Sequence, residues 1–237
     1  MSADDPRSAG ESHAARADAA PPPEGFRDLL DRYAPFRAPD LVPEIEVPYG
    51  RSLIEVWEAA EELAGHVLPS PFWAYPWAAG VALARVLLDA PALVRDARVL
   101  DFGCGGGIAS LAAARAGAAR VTANDIDPWA LEVVRLSAAH NHLAVDRLLA
   151  DLTAEPARVA DYDVVLCGDL AYEKQVAPLQ RAFLAHARNS GKRVIVADAG
   201  RTYFTHRDMR QIAEFTIQVP RDLEGVTERV ATVWIFD

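Results

Sequence analysis

The stretch RVLDFGCGGGIASLAAARAGAARVTANDIDPW, residues 98–129, decides the fold that this chain can adopt. It opens with a short apolar run that ends at an acidic residue and a glycine-rich segment, which is typical of a buried strand followed by a tight turn. A helix is predicted to begin near Gly107, because apolar residues then recur at helical spacing, and Gly117 stands where a helix-terminating glycine is expected. Residues 120–123 predict a second strand, with Asp125 close behind it. The stretch therefore predicts a strand–loop–helix–strand unit with a carboxylate at the tip of its second strand.

The spacing of the glycines distinguishes between two kinds of cofactor. A dinucleotide-binding loop follows G-x-G-x-x-G, but the sixth position counted from Gly103 is Ile108. Residues 101–107 instead follow D-x-G-x-G-x-G, which resembles the first motif of class I S-adenosylmethionine-dependent methyltransferases. The alternative interpretation is a glycine-rich turn that binds no ligand.

The chemistry of S-adenosylmethionine suits the residues of this motif. Asp101 can accept hydrogen bonds from the ammonium group of the cofactor, and the loop amides at the helix N-terminus can bind its carboxylate. Asp125 is placed to accept both ribose hydroxyls. The cofactor is therefore predicted to bind at six positions: Asp101, Gly103, Gly105, Gly107, Asp125 and Ile126.

The length of 237 residues, 51% of them hydrophobic, predicts one main domain with a substantial core. Residues 1–25 are rich in Ala, Pro and acidic residues and are predicted to be a disordered tail. A single domain follows over 26–237, in which residues 26–90 form an N-terminal helical extension and residues 91–237 the core. The tail has no apolar segment of a signal peptide, and its acids argue against a mitochondrial transit peptide. A cytoplasmic location is therefore expected.

The charge balance argues against several classes of partner. The net charge is −10 and no run of Lys and Arg interrupts it, so a nucleic acid would be repelled. The aromatic-rich residues 71–84 carry no charge, but the stretch is too short and too rich in proline to span a membrane. Cys104 and Cys167 do not have the spacing of a metal site, and no metal is predicted. A basic protein segment is the partner that this charge favours.

The segment PFWAYPWAAG, residues 71–80, precedes the first strand of the predicted core. Four aromatic residues and two prolines so close together could simply fill the core. An aromatic wall could also pack against the sulfonium methyl group or the adenine, where cation–π attraction contributes roughly 1–2 kcal/mol. We favour this second role for Trp77 and the core role for Trp73.

Further strands are predicted after the first unit. Residues 147–150 end at Asp151, which is predicted to bind the adenine amino group together with the amide of Leu152, although a helix cap or a solvated loop acid is the alternative. Strands over 162–167 and 193–197 are separated by a helix, and the strands over 215–219 and 230–236 are expected to have no helix between them. This order predicts an α/β fold with a Rossmann-like seven-stranded sheet, mostly parallel with an antiparallel C-terminal strand, and helices on both faces.

Four segments together resemble the electron transfer flavoprotein β-subunit lysine methyltransferase family over residues 43–237. They are PFWAYPWAAGVALARVLLD, VLDFGCGGGIASLAAARAGAARVTANDIDPWA, VVLCGDLAYEK and VIVADAGRTYF. The resemblance implies methylation of lysine on that β subunit, with Asp169 aiming the amine and Tyr172 lining its channel. The sequence departs from the family pattern at Leu170–Ala171 and at Ala199, which replace bulkier residues and a proline beside the acceptor.

Two other functions remain open at this point. The first is a small-molecule N- or O-methyltransferase, in which the same cofactor would face a closed pocket. The second is a binding module that does not catalyse a reaction, although the intact glycine motif and Asp125 count against it. The sequence does not specify the number of methyl groups added or the oligomeric state.

Overall fold

A seven-stranded sheet forms the centre of the computed structural model, which describes residues 20–171 and 173–236. The strands, in chain order, are β1 (Phe36–Arg37), β2 (Val47–Pro48), β3 (Arg98–Phe102), β4 (Arg120–Asp125), β5 (Asp146–Leu149), β6 (Val164–Gly168), β7 (Arg193–Asp198), β8 (Met209–Gln218) and β9 (Glu228–Phe236). The first two pair with each other, and the others form the sheet in the order β5-β4-β3-β6-β7-β9-β8. Strands β1 and β2 are antiparallel. Within the seven-stranded sheet, β9 is antiparallel to both of its neighbours and the other pairs are parallel. This topology confirms the predicted fold class.

Seven α-helices accompany the strands in the described part of the chain. They are α1 (Phe26–Tyr33), α2 (Leu53–Ala64), α3 (Ala78–Asp89), α4 (Ile108–Arg115), α5 (Pro128–His140), α6 (Ala177–Asn189) and α7 (Arg221–Glu224). Asp127 caps α5 by accepting a hydrogen bond from the Trp129 amide at 2.8 Å, and a proline occupies the first turn, where its missing N–H has no cost.

The last two strands differ from the sequence-based expectation. The prediction that no helix lies between them was wrong, because α7 fills the connection: Pro220 precedes it, and Gly225, with φ of 73°, ends it. Strand β8 also begins at Met209 rather than at residue 215. It lies at the edge of the sheet, where polar and apolar residues alternate, so a search for an apolar run finds only part of it.

Helix α3 places the aromatic segment at one end of the sheet. It is apolar on almost all sides and packs against α4, β7 and β9. A Cβ at Gly168 would lie 3.5 Å from the Cα of Gly80, so strand β6 and α3 approach each other closely. This close packing holds Trp77, the residue before α3, beyond the carboxyl ends of β6 and β7.

Three aromatic side chains and a leucine form what we call the aromatic cluster: Phe26, Trp73, Trp129 and Leu223. The Phe26 ring contacts Trp73 and Trp129 edge-on at centroid distances of 5.3 and 5.0 Å, and the two tryptophans stack at 6.1 Å. Trp73 is only 3% exposed. It therefore has the core role expected for it.

The N-terminal extension contributes to the main core as well. Val42, Ile45 and Val47 are buried in the same hydrophobic cluster as α3. Residues 1–19 of the predicted tail lie outside the described residues, and the division into tail, extension and core stays a prediction. In the part of the chain that the structure describes, every helix is too short or too polar to cross a bilayer.

Candidate active site

The loop between β3 and α4 is fixed by its own backbone and by strand β4. The Cys104 amide donates to the Asn124 carbonyl at 2.9 Å, and the Gly107 amide donates to the Cys104 carbonyl at 2.8 Å. Gly103, Gly105 and Gly107 have φ values of 67°, 50° and 79°. Residues that carry a Cβ rarely adopt this left-handed region of backbone conformation, so the turn requires glycine at these alternating positions.

Protein atoms pack closely against this loop at Gly106 and Gly107 and leave it open at Gly105. A Cβ at Gly106 would stand 2.9 Å from the Trp73 carbonyl oxygen, and one at Gly107 would stand 2.7 Å from Val134. A Cβ at Gly105 would meet no described atom within 4 Å. The open side at Gly105 is therefore where a ligand can approach the backbone.

Asp101 lies at the end of β3, beneath the loop, and is 2% exposed. Its Oδ2 accepts a hydrogen bond of 2.6 Å from the Ser110 hydroxyl on α4. Burial raises the pKa of this carboxyl to about 6, and the Ser110 hydrogen bond offsets only part of that effect. A cationic group placed nearby would stabilise the charged carboxylate, which is the role predicted for an ammonium group.

Asp125 ends strand β4 and faces the same loop. Its Oδ2 accepts from the Gly105 amide at 2.9 Å, and its Oδ1 accepts from the amides of Ile126 and Asp127 at 2.8 and 3.1 Å. The structure thus joins Asp125, Ile126 and the glycine loop in one network. It also gives the Gly105 amide a partner within the protein, where the sequence suggested that loop amides bind the ligand.

Asp151 follows β5 at the same edge of the sheet and adopts a local turn. Its Oδ1 accepts from the amide and the hydroxyl of Thr153 at 2.9 and 2.6 Å, so Asp151 stabilises a local turn rather than capping a helix. The Leu152 side chain is fully buried beside Leu100 and Phe102. Adenine binding by Asp151 and by the Leu152 amide stays a prediction.

Asp169 follows β6 and is bound on both oxygens by Arg201, which follows β7. Arg201 Nε donates to Oδ1 at 2.6 Å and its NH2 group donates to Oδ2 at 2.7 Å, a bidentate pair in which Asp169 is 8% exposed. Asp169 has φ of 59°, an uncommon value for a residue with a side chain. Both oxygens of the Asp169 carboxylate are therefore already paired with a guanidinium. The sequence did not predict this ion pair. Tyr172 lies outside the described residues.

Trp77 lies on the Arg201 side of the site. The Arg201 guanidinium carbon is 5.4 Å from the centroid of the Trp77 ring, and the indole N–H donates to the Phe72 carbonyl at 2.8 Å. The ring is half-buried and its orientation is fixed by that hydrogen bond. Trp77 thus forms a wall beside the Asp169–Arg201 pair, and its predicted contact with the cofactor stays a prediction.

Further charged groups surround this pair, and we call the five together the buried charge cluster: Asp169, Asp198, Arg201, Glu224 and Arg229. Asp198 Oδ2 accepts from the amides of Gly200 and Arg201 at 2.7 and 3.0 Å. Glu224 Oε2 accepts from Arg229 Nε at 3.2 Å and lies 3.9 Å from the Arg201 NH2 group.

Burial is the largest influence on the acids Asp198 and Glu224. It raises the pKa of Asp198 to about 6 and raises the pKa of Glu224 above its usual value. Sequence reasoning quoted Asp198 and Arg201 only as part of a family segment and did not include Glu224 at all.

The seven-stranded sheet, the glycine loop after β3 and the acidic end of β4 define a class I S-adenosylmethionine-dependent methyltransferase. Curated relatives narrow the assignment. The electron transfer flavoprotein β-subunit lysine methyltransferase of Xenopus laevis is 32% identical over 217 residues, 89% of this chain and 87% of that protein. Its counterpart in Mus musculus is 33% identical over 205 residues, 83% and 78% of the two chains. The chain belongs to this methyltransferase family.

Two further comparisons agree with the methyltransferase class and its fold. The profile of the family "Ribosomal protein L11 methyltransferase (PrmA)" matches residues 84–195. A crystal structure of a putative RNA methyltransferase from Pyrococcus horikoshii superposes with a TM-score of 0.54 at 18% identity, over 71% of this chain and 88% of that one. At that identity the superposition shows a shared fold alone.

Proposed function

We propose that this enzyme transfers methyl groups from S-adenosylmethionine to lysine side chains of an electron transfer flavoprotein β subunit. The observation that carries the proposal is the buried charge cluster next to Trp77, at the same edge of the sheet as the glycine loop. Carboxylates beside an aromatic face are suited to binding an ammonium group on an alkyl chain. The names of the curated relatives supply the particular substrate.

The loop and the strand ends would hold the cofactor. The cofactor could approach the backbone at the open side next to Gly105. The carboxylate of Asp125 would accept hydrogen bonds from the ribose, and the buried carboxylate of Asp101 would pair with the ammonium group. When bound, S-adenosylmethionine supplies an electrophilic methyl group on a positively charged sulfur. The protein's contribution is to position the acceptor in line with that methyl group and to keep water out.

The acceptor must lose a proton before it can attack. A free lysine with pKa near 10.4 costs about 4 kcal/mol to deprotonate near pH 7.4. The side chains around Trp77 would bind the ammonium form and align it, and a proton would then leave to water. Asp169 is part of this arrangement through Arg201, which holds its carboxylate in one orientation, and Tyr172 is the second residue that we propose for the channel.

The direct test is mass spectrometry of the purified β subunit after incubation with enzyme and S-adenosylmethionine. We expect mass increases in multiples of one methyl group, located on lysine. The matched control is enzyme carrying Asp125→Ala, which should modify the subunit far more slowly. An unmodified subunit, together with methylation of another species in a lysate, would leave the methyltransferase class standing and overturn the substrate.

A further inference from the structure

The buried charge cluster has more negative than positive charge. It contains three carboxylates, Asp169, Asp198 and Glu224, and two guanidiniums, Arg201 and Arg229, so its formal charge is −1. Two of the carboxylate oxygens, Asp198 Oδ1 and Glu224 Oε1, are buried and have no hydrogen-bond partner among the described residues. A buried carboxylate oxygen without a donor is costly, so a cationic group bound at this position would be favoured.

The three carboxylates do not have equal capacity to bind a further cation. Both oxygens of Asp169 already accept from Arg201 at 2.6 and 2.7 Å. Asp198 uses one oxygen to hold the backbone of Gly200 and Arg201. Glu224 has only its Oε2 engaged, by Arg229 at 3.2 Å, and its side chain is fully buried. Glu224 is therefore the carboxylate with the fewest hydrogen bonds: the Arg201 guanidinium lies 3.9 Å from the same Oε2, and Oε1 has no donor among the described residues.

Glu224 lies far along the chain from the glycine loop, and its neighbours fix its position. It is the last residue of α7, between β8 and β9, and the preceding residue, Leu223, is buried in the aromatic cluster. Gly225 then turns the chain with φ of 73°. The Arg229 side chain, on β9, donates to both the carboxylate and the carbonyl of Glu224. These contacts fix a carboxylate 3.9 Å from the Arg201 guanidinium, which itself lies over the Trp77 ring.

We infer that Glu224 is the carboxylate that receives the ammonium group of the acceptor. The inference rests on the proposed function in taking the acceptor to be a primary alkylamine. The sequence analysis expected Asp169 to aim the amine. In this inference Glu224 binds the amine, and Asp169 instead positions Arg201. Burial raises the pKa of Glu224, and the charges of Arg201 and Arg229 offset only part of that effect.

The test measures amine binding separately from turnover. Binding of n-butylammonium, a mimic of the lysine side chain, is measured by calorimetry in the presence of saturating S-adenosylhomocysteine, with the uncharged n-butanol as the control ligand. We expect wild-type enzyme to bind the amine saturably, and Glu224→Gln to bind it about ten- to a hundredfold more weakly. Glu228→Gln, which removes an exposed charge from the neighbouring strand, should bind it like the wild type.

Two further measurements separate binding from folding and from substrate identity. Glu224→Gln should keep its affinity for S-adenosylhomocysteine, and on the β subunit it should raise KM more than it lowers kcat. If Glu224→Gln does not fold, Glu224→Asp retains the charge at shorter reach and should show an intermediate loss of amine binding.

Equal amine binding by wild type and the Glu224 variants, or no saturable binding by wild type, would overturn the role of Glu224. Failure of the wild type to methylate the β subunit would instead overturn the proposed substrate and leave the amine-binding result unaffected.

Discussion

Leu170 lies directly against the backbone of Gly103. A Cβ built on Gly103 would stand 2.5 Å from Leu170 Cδ1 and 2.6 Å from Cδ2, so nothing larger than hydrogen fits there while the leucine keeps its place. Leu170 follows Asp169, whereas Gly103 begins the cofactor loop. The acceptor side and the cofactor side of the site are therefore in direct contact through one apolar side chain.

This contact predicts that Gly103→Ala destabilises the protein by two additive effects. The left-handed φ of 67° should cost roughly 1–2 kcal/mol, and the overlap with Leu170 roughly another 1–3 kcal/mol. Gly191→Ala is the matched control, since its φ is 76° but a Cβ there meets nothing within 4 Å. Urea denaturation measures the loss in free energy of unfolding. In a Leu170→Ala background, the loss caused by Gly103→Ala should fall to that of the control. An unchanged cost would contradict the contact.

A second prediction concerns the pair formed by Asp169 and Arg201. Asp169→Asn leaves the guanidinium without its bidentate carboxylate, so methyl transfer should fall at least about tenfold while the affinity for S-adenosylhomocysteine stays the same. The control is Asp163→Asn at the opposite end of β6. Asp163 forms a similar pair with Arg98, but on an exposed surface, and its loss should leave turnover unchanged.

Turnover assays and calorimetry on the same preparations check this prediction. Equal loss of turnover and cofactor affinity in Asp169→Asn would place Asp169 in the cofactor-binding shell. Normal turnover would remove it from the acceptor site.

The third prediction tests the cofactor site at Asp125. Asp125→Ala removes a charged hydrogen-bond acceptor, which should weaken S-adenosylhomocysteine binding by roughly 1.5–3 kcal/mol, about ten- to a hundredfold. Asp146→Ala, at the start of the neighbouring strand and exposed, is the control and should bind normally. Calorimetry that finds the same affinity in Asp125→Ala and wild type would exclude Asp125 from the site, and NAD should bind to neither protein.

The fourth prediction follows from the buried Asp101 carboxyl, whose pKa burial raises from 3.8 to about 6. The folded protein holds this proton more tightly than the unfolded chain, so the contribution of Asp101 to stability is lost as the pH rises from about 4 to above 6. Asp101→Asn avoids that loss. Its free energy of unfolding relative to wild type should therefore increase by roughly 2 kcal/mol between pH 4 and pH 7.

Denaturation of both proteins without cofactor at several pH values measures this difference. A difference between the two proteins that does not change with pH would show that Asp101 has an ordinary pKa in the folded state.

The glycine loop and its acids could be predicted from sequence because they lie within one continuous stretch. Asp101, Gly105 and Asp125 belong to a single strand–loop–helix–strand unit, whose geometry follows from local spacing. The partner of Asp169 could have been sought at the end of the next strand, since carboxyl ends of parallel strands share one edge of a sheet, and Arg201 stands there. Glu224 carried no such signal, because the four-residue helix that presents it lies in a connection expected to contain no helix.

The aromatic cluster has a consequence for biosynthesis. Its members span the chain from Phe26 to Leu223, so Trp73 and Trp129 remain without part of their packing until nearly all of the polypeptide has left the ribosome. Contacts between residues so far apart in sequence form late and slowly. A nascent chain that stops before Leu223 therefore leaves the aromatic cluster incomplete and lacks Glu224, so this packing and the carboxylate that we propose for the acceptor are completed in the same final step of synthesis.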